Sequence, residues 1–308
     1  MVSEVEAAYA SCEHDARSHY ENFPVASWLV PAAMRRHVAA LYAFARAADD
    51  FADEGSRDAN ERLRLLDGWR ARLIAAAAAG GGPGPAPRPG EPSNAVEVFL
   101  ALGETLREKR LPVGLFEDLL SAFRQDVTVT RYARWDDLLD YSRRSANPVG
   151  RLVLRIAGYD DPRLDAWSDA ICSALQLTNF WQDLKVDFDR GRIYLPAEEL
   201  LDHGALESDL ASGHATPAWR VSLGAAVNRT RALFVAGRPL CSSIGGGLRH
   251  ELRATWLGGM RVLSRIERAG FDVVARRPRL GALDLPWLAW KLVTWQPREA
   301  VSGISLAP

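Results

Sequence analysis

Residues 175–196 read LQLTNFWQDLKVDFDRGRIYLP. Alanine, leucine and arginine prevail around this segment and β-branched runs are scarce, so it reads as helix. At about 100° per residue, Gln176, Asn179, Asp183 and Asp187 fall at i, i+3, i+7 and i+11 and line a single stripe. Leu175, Leu177, Phe180, Trp181 and Leu184 surround that stripe with core-type side chains. A polar stripe set in an apolar helix is not a solvated face. It belongs to a buried polar network or to the wall of a cavity.

A second acidic helix strengthens the cavity reading. Residues 45–54 read ARAADDFADE. Asp49 and Asp53 stand one turn apart on one face, Asp50 and Glu54 repeat the spacing on the adjoining face, and Arg46 precedes Asp49 by three. Each like-charge i,i+4 pair disfavours the helix by roughly 0.2–0.5 kcal/mol. The cluster also sits near the helix C-terminus, the unfavourable end for negative charge. A local rule broken this way points to function. Taken alone, the segment reads equally well as a solvated acidic helix end.

Two such helices facing each other place several carboxylates around a hollow. Buried carboxylates without counter-charge are costly, and hard divalent cations such as Mg²⁺ compensate them with oxygen coordination. Mg²⁺ leaves positions open for substrate phosphates, and it neutralises charge building on a departing diphosphate. Arginines such as Arg46 can add charge-assisted bonds to its oxygens. A di-iron carboxylate bundle would instead require Glu-x-x-His pairs, and none of the six histidines follows a glutamate by three residues near these segments.

The remaining pattern is helical almost throughout, which predicts an all-α fold. Helices are expected from Pro31 to about Glu54, from Asn60 to Ala79, from near Ser93, from Pro112 and from near Trp135. Asn147-Pro148 should interrupt the helix that follows Tyr141. A long helix is expected over 161–187, another from the Thr216-Pro217 cap to 237–241, and a last long one from the 245–247 glycines to about Gly270. The Gly/Pro-rich stretch 79–94 reads as a surface loop within a single domain spanning 1–308. A net charge of −1 across 308 residues offers no global field for nucleic acid. The widely spaced cysteines Cys12, Cys172 and Cys241 fit a reduced cytosolic compartment better than a disulfide framework. No secretory signal and no run of 18 apolar residues is apparent. His14, His19 and His37 read as structural or exposed.

Three segments, YAFARAADDFADE (42–54), YSRRSANPVG (141–150) and the 175–196 stretch, resemble the squalene/phytoene synthase family in order and spacing. The resemblance runs from about His19 to Gly270. It implies an all-helical isoprenoid-synthase-type bundle with a central cavity and Mg²⁺ held by both acidic motifs. By position, Asp49, Asp53, Asp183 and Asp187 become the catalytic and metal-binding acids, with Asn179 also a metal ligand. Tyr42 and Arg46 match positions facing the diphosphate or cavity. Tyr141, Gln176, Asn179, Phe23, Val149 and Gln182 match substrate-facing positions.

The departures from the family pattern concern its coupling members, which read NILRD where this chain has NFWQD. Gln182 therefore stands where they carry an arginine, and Phe180 and Trp181 replace an aliphatic pair. Upstream, Tyr20 and Asn22 occupy positions where the family often has a small hydroxyl residue and an SF-type motif. These features look like the branch that turns presqualene diphosphate into hydroxysqualene in bacterial hopanoid pathways. Its chemistry is carbon–oxygen lyase in type: ionisation, cation rearrangement and water capture. It needs no nicotinamide cofactor and receives substrate from a sister enzyme. A head-to-head prenyltransferase making presqualene diphosphate, squalene or phytoene is the alternative, and a non-catalytic scaffold a third, which the intact acids oppose.

Two segments remain. The tryptophan-rich stretch 280–297 is expected to pack on the protein's own surface, with docking on a bilayer as the functional alternative. The basic run ARRPRLG, 275–281, reads as a solvated patch, with anion binding near a cavity mouth as its alternative.

Overall fold

The computed structural model describes residues 3–18, 30–79 and 86–296. Among them the regular elements are helices, and the one β-bridge joins Arg131 to Ile193. The helices are α1 (Glu4–Ser18), α2 (Ala32–Asp53), α3 (Ala59–Ala79), α4 (Ala95–Lys109), α5 (Val113–Asp126), α6 (Trp135–Ser145) and α7 (Asn147–Ile156). They continue with α8 (Pro162–Asp189), α9 (Ala197–His203), α10 (Pro217–Gly237), α11 (Leu240–Ser243), α12 (Gly246–Arg268) and α13 (Asp284–Val293). Helices α1, α9 and α13 were not anticipated from the sequence pattern. Each is short or polar and draws its order from packing on a neighbour.

Local chemistry sets several boundaries. Asp161 caps α8 by accepting a hydrogen bond from the Arg163 amide at 2.8 Å, with Pro162 in the first turn. Thr216 caps α10 in the same manner, accepting from the Trp219 amide. Pro148 lacks the amide proton that would continue α6, so the chain breaks between Ser145 and Asn147 and restarts as α7. The buried Asn147 carboxamide at this break accepts a hydrogen bond from Ser173 at 2.9 Å, which fastens the break to α8.

Helix α8 is the axis of the molecule. It packs against α6, α7, α10 and α12, while α2 packs against α1, α3, α4 and α5. α7 touches both α2 and α8 and forms a floor between them. Buried apolar side chains join into one cluster from α1 to Val274. Within it Trp181 donates to Thr230 of α10 at 2.7 Å and meets Trp135 edge to face. Trp69 donates to the Phe44 carbonyl at 3.1 Å, locking α3 to α2.

Two close approaches depend on glycine. A Cβ at Gly150 of α7 would overlap the Ser168 hydroxyl and the Cys172 thiol of α8. A Cβ at Gly237 would come within 2.6 Å of the Trp167 carbonyl and 3.0 Å of the Ile171 amide, both rigid backbone. Gly237→Ala is therefore expected to destabilise the protein by about 1–3 kcal/mol through overpacking. Urea denaturation measures it, with a lowered midpoint at unchanged slope as the expected outcome.

Candidate active site

The groove between α2 and α8 gathers the sequence-predicted acids. On α2, residues 34, 38, 42, 45, 49 and 53 share one face at helical spacing. Met34 and Val38 at its start line an apolar cavity, and Asp49 and Asp53 stand at its end. On α8 the matching stripe begins with Ser168, Cys172 and Leu175, which line the same cavity. It continues through Gln176 and Asn179 to Asp183 and Asp187. Asn179 is exposed toward the groove, while its neighbours Leu177, Phe180, Trp181 and Leu184 are buried. Helix α8 thus lines the apolar cavity with its first half and carries Asp183 and Asp187 in its second, where they meet Arg277, Arg192 and the charge of Asp53.

Val149 and Gly150 of α7, with Leu248, Leu252 and Thr255 of α12, close the apolar end. Tyr141 is buried and donates a hydrogen bond to Asp126 at 2.9 Å. Around it Tyr132, Phe180 and Tyr194 form an aromatic cluster, with Phe180 stacked on Tyr194 at 3.7 Å. Burial pushes the Tyr132, Tyr141 and Tyr194 hydroxyls up, so all three stay protonated.

Asp126 is a site residue that the sequence reading missed. It lies at the end of α5, four residues after Ala122 and seven after Leu119, on that helix's buried stripe. A lone acid at such a position was the available signal. Burial lifts its carboxyl to about 7 despite the Tyr141 hydrogen bond, and the charges of Asp53 and Asp49 add to the rise. Asp187 is raised to about 7 by burial, then by Asp183, with Asp53 contributing from across the groove. Asp49 is raised to about 6 by burial, then by Asp53. The acids of both helices therefore feel one another.

Two arginines answer this charge. Arg192, in the turn after α8, makes a two-pronged pair with Asp53 of α2 at 2.6 and 3.0 Å. It also donates to the Asp126 carbonyl at 3.1 Å, and its amide donates to the Asp187 carbonyl at 2.8 Å. Arg277, in the loop after α12, pairs with Asp183 at 2.8 Å. The 275–281 run is accordingly not a plain solvated patch: its middle arginine reaches into the groove. Arg46 turns toward Asp50 and Glu54, at 2.7 Å from each, and lies 3.7 Å from Asp49. It borders, with Tyr42, a second and more polar groove beside α1.

Gln182 is half-buried at the edge of the stripe. Trp181 points to the opposite side, into the α8–α10 core, so its identity shapes packing rather than the groove. Phe23, Tyr20, Asn22 and His19 lie outside the described residues. His37 is buried against Tyr9 and Thr105, and desolvation lowers it to about 4, which fits a neutral structural role.

The donor set consists of hard oxygens, and its raised acids signal a deficit of positive charge. That chemistry fits Mg²⁺, which takes one or two carboxylates and completes its shell with water and phosphate. Among the described residues no three acids, histidines or cysteines are close enough to hold an ion by themselves. A shared ion would therefore need oxygens from a ligand as well as from the walls.

The fold is a helical bundle in which acids of α2, α5 and α8 share one groove near an apolar cavity. The family model for squalene/phytoene synthase matches residues 16–284, and the chain belongs to that family. It is 38% identical over 225 residues to a hydroxysqualene synthase of Rhodopseudomonas palustris, covering 73% of this chain and 71% of the relative. It is 33% identical over 273 residues to one from Sinorhizobium fredii, covering 88% and 87%. Among solved structures, a squalene synthase named HpnC from Alicyclobacillus acidocaldarius superposes with a TM-score of 0.78 at 38% identity. That match covers 87% of this chain and 96% of the other. A dehydrosqualene synthase, at 19% identity and a TM-score of 0.80, shares the fold.

The raised acids would make any cation binding in this groove depend on pH: near and below pH 6 Asp49, Asp126 and Asp187 carry protons that an entering cation would have to displace, and above about pH 8 they do not. Mn²⁺ affinity, followed by electron paramagnetic resonance, is expected to rise between pH 5.5 and 8 and then level. Affinity that is flat across that range would remove these three groups from the cation site.

Proposed function

We propose that the protein converts presqualene diphosphate to hydroxysqualene. The observation that supports this reading is helix α8, whose Cys172 and Leu175 line the apolar cavity and whose Asn179, Asp183 and Asp187 follow on the same helical stripe. It suits a substrate with a long hydrocarbon body and a diphosphate head. The family match and relatives named hydroxysqualene synthase support the same choice.

The chain's groups divide the work. Asp49, Asp53, Asp183 and Asp187 would hold Mg²⁺ together with the substrate's phosphates, and Asn179 can supply a neutral oxygen beside them. The bound metal supplies charge that stabilises the departing diphosphate. When the carbon–oxygen bond breaks, its electron pair leaves with the diphosphate. Arginine side chains at the groove offer charge-assisted hydrogen bonds to those oxygens. The aromatic cluster of Tyr132, Tyr141, Phe180 and Tyr194 and the cavity residues Val149, Val153 and Leu175 keep bulk water from the cation. After rearrangement, one water adds through oxygen and loses a proton, giving the alcohol with no change in oxidation state. Gln182, at the edge of the stripe, is a candidate to orient that water.

Purified protein with Mg²⁺ is expected to form hydroxysqualene from presqualene diphosphate and nothing from farnesyl diphosphate alone, as read by mass spectrometry. Coupling of farnesyl diphosphate would assign the head-to-head synthase reaction instead. Asp53→Asn and Asp183→Asn are each expected to lower turnover at least a hundredfold with an unchanged circular dichroism spectrum. Full activity in both variants would overturn the site assignment.

A bilayer contact fits the same substrate. Among the described residues no helix is long and apolar enough to cross a membrane. In the 280–297 stretch, Trp287 packs under Arg261 and Trp295 meets Trp256, as self-packing requires. The opposite face is bare: Leu283 is 90% exposed, Leu285 65%, Trp290 57% and Val293 87%. Asp284, buried and paired with Arg261 and Arg265, anchors α13 in that orientation. Lys291 over Trp290 puts a cation on this helix, suited to anionic lipid. The double variant Leu285→Ser/Trp290→Ser is expected to lose co-sedimentation with anionic phosphatidylglycerol vesicles. Undiminished binding would discard α13 as the contact.

A further inference from the structure

Arg192 and Arg277 reach the groove from two separate loops and pair with one acid on each wall. Arg192 links the walls outright. Its amide is bonded to Asp187 on α8, and its guanidinium clasps Asp53 on α2 while contacting the Asp126 carbonyl. Arg277 covers Asp183 from the opposite loop. Both side chains are largely shielded, at 18% and 34% exposure. A guanidinium in such a place does what a bound cation does: it neutralises carboxylates that would otherwise repel across the groove. It cannot share those carboxylate oxygens with a metal ion in the same geometry. An ion entering at Asp53 or Asp183 therefore has to displace an arginine, and the displaced arginine then lacks an anion. The other strong anion expected there is the diphosphate, which guanidinium groups bind in the same two-pronged fashion.

We propose that Arg192 and Arg277 are exchange cations: they occupy Asp53 and Asp183 in the metal-free protein and pass to the diphosphate as metal binds, so that metal and diphosphate bind cooperatively. The proposal rests on the diphosphate chemistry argued above, though not on which prenyl chain the substrate carries. Coupling between two ligands is reciprocal, so diphosphate must tighten metal by the factor by which metal tightens diphosphate.

The arginine variants give a pair of effects of opposite sign. Removing an ordinary diphosphate-binding residue would leave binding of metal alone unchanged. Removing a residue that merely props the site would weaken metal binding. Removing an exchange cation frees its carboxylate, so metal alone binds more tightly while diphosphate binds more weakly.

The test is calorimetric titration of Mn²⁺ into the full-length protein at pH 8, with and without inorganic pyrophosphate, at buffered free Mn²⁺. In the unaltered protein pyrophosphate is expected to tighten Mn²⁺ at least about fivefold. In Arg277→Gln, Mn²⁺ alone should bind several-fold more tightly, and the tightening by pyrophosphate should shrink. Arg192→Gln should shift both in the same directions, and Arg277→Lys should restore most of the coupling. Thermal unfolding of each variant without ligand establishes that it is folded. Should Arg192→Gln fail to fold, the Arg277 pair decides alone. Unchanged or weakened binding of Mn²⁺ alone in Arg277→Gln, or coupling left intact, would overturn the proposal. Product analysis with presqualene diphosphate tests the function separately, since inorganic pyrophosphate carries no prenyl chain.

Discussion

Repulsion among carboxylates across one groove is the constraint around which the structure is arranged. Asp49, Asp53 and Asp126 approach from one side, Asp183 and Asp187 from the other, and three of the five are held well above the ordinary carboxylate range. Packing must hold them in place against this repulsion. It does so with α7 lodged between α2 and α8, with the Asn147–Ser173 bond at the α6–α7 break, and with glycines that bring α8 hard against its neighbours. The strain is local and electrostatic, while the stabilisation is distributed through a core of buried tryptophan, phenylalanine and leucine. Function is built where local preference is violated, and the surrounding fold makes that violation tolerable.

The parts legible in the sequence were those fixed by helical periodicity. Gln176, Asn179, Asp183 and Asp187 are 3 to 4 residues apart, so their shared face follows from helix geometry alone, and Asp183 and Asp187 of that face meet Arg277, Arg192 and the charge of Asp53. The break at Asn147-Pro148 followed from a missing amide proton, and the Thr216 cap from a side-chain acceptor at the right place. The long helices were found because each repeats its pattern over several turns.

What escaped were contacts between residues far apart in the chain. Arg192 meets Asp53 across 139 positions and Arg277 meets Asp183 across 94. No periodicity relates a loop arginine to an acid on a distant helix. Asp126 escaped because a single acid on an apolar stripe resembles a helix end until its tyrosine partner is seen. Trp181, read from the sequence as a core-type side chain, is buried against Thr230 of α10. Arg46 lies near the predicted face but is drawn aside by Asp50 and Glu54, the two acids on the adjoining stripe.

The single helix α8 carries both the acidic wall and the hydrocarbon wall. From Asp183 down to Ser168 is fifteen residues, about 22 Å of rigid rod. Nothing along that length contains a hinge, so the distance from head group to cavity floor is a fixed dimension. The helix thereby acts as a ruler. In the proposed reaction, a hydrocarbon chain that reached too far would not bring its diphosphate level with the acids, and one that fell short would leave part of the cavity unfilled. Length discrimination and ionisation would then be two readings of the same piece of backbone, and lengthening α8 would displace both together.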